Sequence, residues 1–486
     1  MPHRILFITA EYAPLAKTGG LADVSAALSR DLHRRGDDVR VFLPWYASIA
    51  ASGLETWPVD FLQDLEITLG VHAYRYSVRT GSAPGSDLNL YFIDCPALYG
   101  RPGIYTEDED ESRRFLLLTR AALECSQRMG FAPHIVHCND WHTAFAPLLL
   151  KTLYAWDGLF AATRSVLTIH NVAYQGVFGA AHAAELGLGD ASWLLHQQDL
   201  AEGRVNTLLH GILYADLVTT VSPTYAAEIC TPEYGAGLDP FLRSRGGRLV
   251  GILNGVDYDE WDPSRDRLLP ARYDAHDLSG KLECRRELAE RTGLALGTGT
   301  MLLGLVSRFV DQKGIDLMIP ALPAFLRRQD AAVVALGSGE ARFEEFFAAL
   351  EREFPGRVAY HKGYDEPLAH WIEAGSDAFM MPSRYEPCGL NQMYSLRYGT
   401  APIVRRTGGL ADSVAHYDRA DGTGTGIVFD HYDAASFGWA LDYAAGLHRE
   451  AAHWRRLLGN AMAKNYSWER QGALYVEEYT RLVGPA

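Results

Sequence analysis

The sequence lacks any apolar run near the roughly 18 residues that a membrane-spanning helix needs. Its longest candidates are short pieces at 146–150 and 319–326. The chain starts at Met1 and passes at once into an apolar segment at 5–9, with no separate apolar region or small-residue cleavage site. We therefore expect a cytoplasmic protein that is neither exported nor inserted in a membrane.

The sequence has few cysteines, and its net charge is negative. The six cysteines form no Cys-x-x-Cys pair, which is typical of reduced cytosolic thiols and argues against a zinc site or a disulfide framework. A formal net charge of −15 repels nucleic acid backbones and anionic membrane surfaces. We expect neither partner, and any anionic ligand must meet a local cluster of cations.

The chain does contain short, continuous apolar runs with helical stretches between them. This pattern is typical of strands buried on both faces of a parallel sheet. In the first half the runs lie at 5–8, 39–43, 90–93, 135–137, 166–169 and 217–221, and in the second at 301–306, 333–336, 358–360, 378–381 and 402–404. The length of 486 residues exceeds one comfortable core. We predict an α/β fold with two doubly wound, Rossmann-like domains, at 1–254 and 255–466, which meet at a turn-rich seam.

One short motif occurs twice. Thr18-Gly-Gly-Leu-Ala-Asp23 reappears as Thr407-Gly-Gly-Leu-Ala-Asp412, each time after a cation and between a predicted strand and a predicted helix. A Gly-Gly turn at a helix N-terminus exposes unpaired backbone N–H groups, which suit a phosphate. We expect the two turns, one per domain, to hold one diphosphate across a cleft. The alternative is a pair of ordinary tight turns, repeated by chance or by an ancient duplication.

Polar side chains follow the strands of the second domain, where ligands of open parallel sheets bind. Arg308 and Lys313 follow the run at 301–306, and fixed cations there can stabilise a departing diphosphate. The alternative is a surface pair of cations bound to Asp311. Glu386 follows the run at 378–381, and packing explains it poorly because a carboxylate is seldom buried unpaired. Sugar hydroxyls are natural donors to it.

The strand ends of the first domain offer two further candidates. His170 can exchange a hydrogen bond with a sugar hydroxyl, or it can be a structural histidine. Asp140 is the best-placed carboxylate for an acceptor hydroxyl, or it caps the next helix. Asp108-Glu-Asp110 matches the Asp-x-Asp pattern of metal-dependent sugar transferases, but it lies in the acidic run 107–111, which is typical of a solvated helix start. We predict no metal there.

Seven segments resemble, in order and spacing, the bacterial glycogen synthase and plant starch synthase family, and the resemblance covers about residues 5–470. They are Lys17-Thr-Gly-Gly-Leu21, Asn139-Asp-Trp-His142, His170-Asn-Val-Ala-Tyr-Gln-Gly176, Asn254-Gly-Val-Asp257, Ser307-Arg308 with Gln312-Lys-Gly314, Glu386-Pro-Cys-Gly-Leu390 and Arg406-Thr-Gly-Gly-Leu410. The resemblance implies a GT-B fold with the donor in an interdomain cleft. It also implies a C-terminal helix, within 467–486, that crosses back to the first domain.

The resemblance further implies a retaining, metal-independent transfer of glucose from ADP-glucose to an α-1,4-glucan, either glycogen or a maltooligosaccharide, without a cofactor. The catalytic residues that it implies are His170, Arg308, Lys313, Glu386 and Asp140. The substrate-binding residues are Lys17, Gly19, Gly20, Asp23, Tyr105, Asn254, Tyr364, Cys388, Gly389, Thr407 and Gly408. Among these, Tyr364 is expected to stack on the base, Tyr105 to line the acceptor side, and Thr407 and Gly408 to complete the phosphate site on domain closure.

No carboxylate in these motifs is an obvious covalent nucleophile, so we expect the acceptor to attack on the face from which the diphosphate leaves. Several other functions stay open. A dinucleotide oxidoreductase fits two doubly wound domains, but Gly337-Ser-Gly339 continues to Arg342 where its fingerprint needs a third glycine. A glucan phosphorylase, sucrose synthase or other sugar-nucleotide transferase, and a catalytically dead glucan-binding scaffold are the remaining alternatives. Only the family resemblance favours ADP-glucose over UDP-glucose.

Overall fold

The structure is a computed structural model that describes residues 2–106 and 108–484. The chain divides into two compact units. The first comprises Met1–Val221, Ala226–Gly255 and Trp468–Ala486, and the second comprises Ser222–Tyr225 and Val256–Ser467. Each unit is an α/β sandwich with a largely parallel central sheet, which confirms the predicted fold class. In the described ranges, no helix has both the length and the apolar character needed to cross a membrane.

The first unit is built on a sheet whose strand order is β12-β11-β8-β7-β1-β2-β6-β5-β3, with β4 paired to β5 and a separate pair β9 and β10. The strands are β1 (Arg4–Ile8), β2 (Asp38–Pro44), β3 (Trp57–Pro58), β4 (Leu65–Leu69), β5 (His72–Ser82), β6 (Asn89–Asp94), β7 (Ile135–Asn139), β8 (Arg164–Ile169), β9 (Val177–Gly179), β10 (Arg204–Asn206), β11 (Leu217–Thr220) and β12 (Leu249–Gly251). From β12 to β6 the sheet pairs are parallel. The buried apolar runs of these strands are the reason that helices must cover both faces.

Helices and helical turns occur between these strands and after them. They are α1 (Gly20–Arg34), α2 (Ala47–Ala51), α3 (Pro96–Tyr99), α4 (Glu111–Arg128), α5 (Asp140–Thr143), α6 (Ala146–Leu150), α7 (Gln197–Ala201), α8 (Thr207–Tyr214), α9 (Pro223–Glu228) and α10 (Asp239–Arg245). The longest, α4, buries Phe115, Leu117 and Leu118 on the side that faces the sheet core.

An antiparallel edge, β3 to β5, extends the parallel part of this sheet. The apolar runs did not predict it, because β5 alternates between buried and exposed side chains instead of burying both faces. Tyr76 and Val78 face the core while Arg75 is exposed. Such alternation is typical of a strand with one solvated face.

The second unit holds a parallel sheet of strand order β15-β14-β13-β16-β17-β18, covered by helices. The strands are β13 (Met301–Phe309), β14 (Ala331–Gly339), β15 (Val358–Lys362), β16 (Ala378–Met381), β17 (Ala401–Arg405) and β18 (Ile427–Phe429). The helices are α11 (Ser279–Thr292), α12 (Ile315–Arg328), α13 (Ala341–Glu353), α14 (Glu366–Gly375), α15 (Asn391–Arg397), α16 (Gly408–Ser413), α17 (Ala434–His448) and α18 (Ala451–Met462). Gly339, from the incomplete dinucleotide fingerprint, touches β13, where an added Cβ would lie 2.2 Å from the Phe309 carbonyl oxygen.

The last helix of the chain, α19 (Trp468–Val483), belongs to the first unit. It packs on α1, where a Cβ at Gly472 would lie 2.0 Å from the Asp31 carboxylate. The buried Tyr479 hydroxyl lies 2.6 Å from His137 Nδ1 of β7. Close backbone approach and a buried polar contact thus fix this helix against the first unit.

Candidate active site

The end of β13 and the residues that connect it to α12, together called the β13 loop, carry Arg308 and Lys313. Arg308 is exposed, and its side chain has no ion pair or hydrogen bond within the described residues. Asp311 pairs with Arg342 instead. The alternative interpretation, in which Asp311 neutralises Arg308 and Lys313, is therefore wrong. An unpaired arginine at a strand end is available to an anionic ligand.

Lys313 forms an ion pair with Glu386, with 2.6 Å between Nζ and Oε2. Ser383 Oγ donates to the same carboxylate oxygen at 3.0 Å. Glu386 is only 5% exposed, and the ion pair with Lys313 explains how its carboxylate can be buried. It also fixes the carboxylate in the loop between β16 and α15, and the other oxygen, Oε1, accepts no hydrogen bond from the described residues.

The Glu386-Pro-Cys-Gly389 loop is closed by Gln392, whose Nε2 donates to the carbonyl oxygens of Cys388 and Gly389 at 3.0 Å each. Gly389 has φ of 72°, a left-handed conformation that disfavours other residues. Cys388 is buried. The loop is thus held rigidly at the N-terminus of α15.

The second Gly-Gly turn packs directly on this loop. A Cβ at Gly408 would lie 1.9 Å from the Glu386 carbonyl oxygen, so only glycine fits there. The Gly409 N–H donates to the carbonyl oxygens of Glu386 at 3.1 Å and Pro387 at 3.2 Å. The expectation that this turn displays unpaired amides is therefore wrong for Gly409. Thr407 is fully buried, and the turn supports the Glu386 loop.

Tyr364 follows β15 and presents a side chain that is 68% exposed. The preceding Gly363 has φ of 104°, which allows the chain to turn sharply after the strand. An exposed aromatic ring at a strand end is suited to stacking on a planar ligand group.

The first Gly-Gly turn is organised by a residue that the motifs did not single out, Glu11. Its buried carboxylate accepts from the backbone N–H groups of Thr18 at 2.7 Å and Gly19 at 3.2 Å, and from Thr18 Oγ1 at 2.6 Å. The expectation of unpaired amides is thus wrong for these two residues. Gly20 and Leu21 keep N–H groups without a partner in the described part of the chain.

Lys17 and Asp23 flank the same turn, and their side chains pair at 2.7 Å. Asp23 lies in the first turn of α1, where a carboxylate interacts favourably with the helix dipole. The Lys17 side chain is about half exposed, so water screens its ion pair with Asp23 and its ammonium group can turn to a ligand.

Asp140 and His170 meet at the ends of β7 and β8. Asp140 Oδ1 accepts from the backbone N–H of His170 at 2.7 Å and of Asn171 at 3.4 Å. The alternative that Asp140 caps its own helix is wrong, because its carboxylate is turned to the neighbouring strand end and its φ is 52°. Burial raises the pKa of Asp140 to about 7.

The His170 ring lies 3.0 Å from the Asn139 amide oxygen through Nε2. Burial lowers the pKa of His170 to about 3, so its imidazole is neutral at pH 7. A neutral ring can exchange hydrogen bonds with a hydroxyl, but it cannot supply a positive charge.

Tyr105 connects this region to Glu11. Its hydroxyl donates to Glu11 Oε1 at 2.5 Å, and its ring stacks on His142 with 4.9 Å between centroids. Burial raises the pKa of Tyr105 further above its usual value, so the hydroxyl stays protonated.

Asn254, also in the first unit, is 5% exposed, and its amide oxygen has no hydrogen-bond partner among the described residues. An unsatisfied buried acceptor costs about 1–3 kcal/mol. A ligand hydroxyl would satisfy it.

Two of the acidic residues that precede α4 form ion pairs with an arginine of the same unit. Asp108 and Asp110 each lie 2.6 Å from the Arg101 guanidinium. Glu107 lies outside the described residues. Both aspartates of the Asp-x-Asp pattern thus belong to an ion-pair cluster centred on Arg101.

The structure brings the candidates together in separate groups within each unit. Lys313, Glu386, Cys388, Gly389, Thr407 and Gly408 form one group in the second unit, and Asp140, His170, Tyr105, Lys17, Gly19 and Gly20 surround Glu11 and Asn139 in the first. Sequence reasoning missed Glu11 and Ser383. Glu11 stands three residues after β1, so the strand-end rule already contained a signal for it.

Comparison with known proteins identifies the family. The family model "Starch synthase catalytic domain" matches residues 4–244, and "Glycosyl transferases group 1" matches residues 289–456. The chain is 45% identical over 491 residues to a glycogen synthase of Anaeromyxobacter dehalogenans strain 2CP-1, covering 99% of both chains. It is 44% identical to glycogen synthase 1 of Geobacter sulfurreducens, covering 99% of this chain and 96% of the relative.

A solved structure is similar over the full length. It is the catalytic domain of starch synthase IV from Arabidopsis thaliana, bound to ADP and acarbose, with a TM-score of 0.91 and 37% identity over 99% of this chain and 100% of that one. Identity at this level over whole chains, together with the two family models, confirms the resemblance that the seven motifs indicated. The chain belongs to the glycogen synthase and starch synthase family of GT-B glycosyltransferases.

Proposed function

We propose that this protein is a glycogen synthase that transfers glucose from ADP-glucose to the non-reducing end of an α-1,4-glucan with retention of configuration. The observation that carries the proposal concerns two cations that follow one another along the chain: Arg308 is exposed and has no ion pair within the described residues, and Lys313 is bound to Glu386. Full-length relatives named glycogen synthase support it. The solved starch synthase relative holds ADP, which supports the adenine donor.

The second unit is proposed to bind the donor. Arg308 and Lys313 contact the diphosphate, and Tyr364 stacks on the base. Glu386 accepts from glucose hydroxyls, with the Cys388 and Gly389 backbone beside it, and Thr407 and Gly408 complete the diphosphate site. The cations stabilise the charge that grows on the leaving oxygen, so they act mainly in the transition state.

The first unit is proposed to bind the acceptor and to add donor contacts. Tyr105 and Asp140 line the acceptor, while His170 and Asn254 contact the sugar. The residues at the donor phosphates and glucose are Lys17, Asp23, Gly19 and Gly20. The N–H of Gly20 is the better donor to a phosphate, because it has no partner in the described part of the chain whereas the N–H of Gly19 is already bound by Glu11.

The transfer itself needs no base from the protein in this proposal. The acceptor hydroxyl oxygen forms a bond to the anomeric carbon as the bond from that carbon to the diphosphate oxygen breaks on the same face. The departing phosphate oxygen takes the hydroxyl proton, and ADP leaves. His170, neutral because its pKa is about 3, contributes a hydrogen bond near the reacting carbon. The proposal includes no cofactor and no catalytic metal, and it places the enzyme in the cytoplasm.

The test supplies labelled ADP-glucose or UDP-glucose together with glycogen and measures the label in the polymer. We expect incorporation from ADP-glucose, faster than from UDP-glucose, into α-1,4 linkages that an exo-acting α-1,4-glucan hydrolase releases. Glycogen binding without incorporation from either donor would reject the proposal in favour of a glucan-binding scaffold.

A further inference from the structure

A second cluster of ligating groups lies in the second unit, outside the residues proposed for transfer. Ligand atoms of Glu260, Glu366 and His370 all lie within 4.8 Å of one another. Glu366 and His370 stand on the first two turns of α14, and Glu260 stands in the segment that precedes α11. Two ligands one helical turn apart, together with a third that is distant in sequence, are typical of a metal site when all three converge on one point.

The buried member of the cluster is an imidazole with one free nitrogen. The His370 side chain is 1% exposed, and its Nδ1 lies 2.7 Å from Asp266 Oδ2. Its Nε2 is buried without a hydrogen-bond partner in the described residues. With Nδ1 held by Asp266, Nε2 is the nitrogen that is left for the two glutamates. An unsatisfied buried nitrogen is costly, so it points to an absent partner.

The surroundings of the ring match those of a metal-binding histidine. Such a histidine usually donates its second N–H to a carboxylate, which fixes the tautomer and the orientation of the ring. Here Asp266 supplies that carboxylate, and Tyr398 donates to the same Asp266 oxygen at 2.6 Å. The Trp261 ring stacks on the imidazole with 3.7 Å between centroids. The ring is thus held in place before any ion arrives.

We propose that Glu260, Glu366 and His370 Nε2 bind a zinc ion, which joins the segment before α11 to the start of α14. One nitrogen and two carboxylates form a donor set that zinc accepts, with water as a fourth ligand, whereas Mg²⁺ and Ca²⁺ prefer oxygen alone. Ligand atoms around zinc lie about 3.4 Å apart, given bonds of about 2.0–2.2 Å. The ligand atoms lie within 4.8 Å of one another, so the two exposed glutamates would have to turn toward the ion to reach that spacing. The ion is structural and takes no part in glucose transfer.

The experiment uses the full-length protein without an affinity tag, freed of metal by dialysis against a chelator. Zn²⁺ is titrated against a competing chromophoric chelator, for the wild type, for Glu260→Gln and for Glu366→Gln. Both substitutions are at exposed positions and keep the size of the side chain, so we expect both variants to fold. The control is Glu345→Gln, an exposed glutamate on α13.

We expect one tight Zn²⁺ in the wild type and in Glu345→Gln, and an affinity at least about tenfold lower in Glu260→Gln and Glu366→Gln. Zn²⁺ should also raise the melting temperature of the wild type and not that of Glu366→Gln, while Mg²⁺ raises neither. Equal Zn²⁺ affinity in all four proteins, or no tight Zn²⁺ in the wild type, would overturn the proposal.

Discussion

The two cations of the β13 loop differ in what neutralises them. Lys313 is bound to Glu386 at 2.6 Å, whereas Arg308 has no ion pair in the described residues. Substituting them should therefore have different effects on stability. This difference separates a loss of catalysis from a loss of folding.

Replacing Arg308 with alanine should lower kcat about 100-fold or more, because a fixed charge at the leaving diphosphate is lost. The melting temperature should stay unchanged, since the side chain is exposed and has no ion pair or hydrogen bond within the described residues. Initial rates with ADP-glucose and glycogen, together with thermal melting, measure both. The matched control is Arg327→Ala, an exposed arginine of α12 paired with Glu353, for which we expect full activity. A destabilised but active Arg308→Ala protein would contradict the assignment.

Replacing Lys313 with methionine should destabilise the protein by about 3 kcal/mol, because it leaves the buried Glu386 carboxylate without its cation. The double variant Lys313→Met with Glu386→Gln should recover most of this stability and remain inactive. Thermal melting and glucose incorporation distinguish these two effects. If Lys313→Met melted like the wild type, the ion pair would not stabilise the loop as described.

Tyr364→Ala should raise KM for ADP-glucose about tenfold with little change in kcat, because stacking on a base contributes about 1–3 kcal/mol per base. Tyr364→Phe keeps the ring and should behave like the wild type. Steady-state kinetics with varied donor checks this. An unchanged KM in Tyr364→Ala would show that the base binds elsewhere.

At the scale of elements, the contact of α11 with α14 contains two buried ionisable groups. Lys281 of α11 donates to the carbonyl oxygen of Ala374 at 2.8 Å, and Ser395 donates to the Glu373 carboxylate at 2.7 Å. Burial raises the pKa of Glu373 to about 8 and lowers the pKa of Lys281 to about 8. The packing of these helices should therefore depend on pH.

Glu373→Gln tests that dependence. Since the pKa of Glu373 is raised to about 8, its contribution to stability is complete below its unfolded pKa and is lost as pH rises through about 8. The variant carries no such loss, so its melting temperature relative to the wild type should increase from pH 5 to pH 8. Glu345→Gln, exposed on α13, should show a constant difference. A constant difference for Glu373→Gln as well would contradict the buried-carboxyl account.

Strands with continuous apolar runs could be predicted from the sequence, whereas strands that alternate or are partly polar could not. Strands β1, β2, β8 and β16 bury almost every side chain, so their runs stand out in the sequence. Strand β5 alternates, and its neighbours β3 and β4 are short or partly polar, so continuous hydrophobicity did not reveal them. The two Gly-Gly turns were predicted correctly as helix starts. The groups that bind their N–H groups, the Glu11 carboxylate and the Glu386 carbonyl oxygen, were not predicted, because tertiary contacts bring them to the turns.

At the scale of the whole molecule, the continuous apolar runs predicted the α/β architecture, and the order and spacing of the seven motifs predicted the family. Long-range contacts were not predictable in this way. Tyr105 and Glu11 are 94 residues apart, and Lys313 and Glu386 are 73 apart, so no local pattern pairs them. The net charge of −15 adds a further constraint, since an anionic donor must be attracted by a few local cations.

Salt should therefore affect donor binding only moderately, since Arg308 and Lys313 act at short range and not through the overall field. In the proposed reaction, these cations hold a diphosphate while its glucose moves to a glucan. The most direct measurement follows the release of ADP from ADP-glucose, together with glucose incorporation, in the presence and absence of glycogen. We predict one ADP for each glucose incorporated, and almost no ADP release without the acceptor. Acceptor-independent release of ADP, or incorporation of glucose without ADP, would contradict the account.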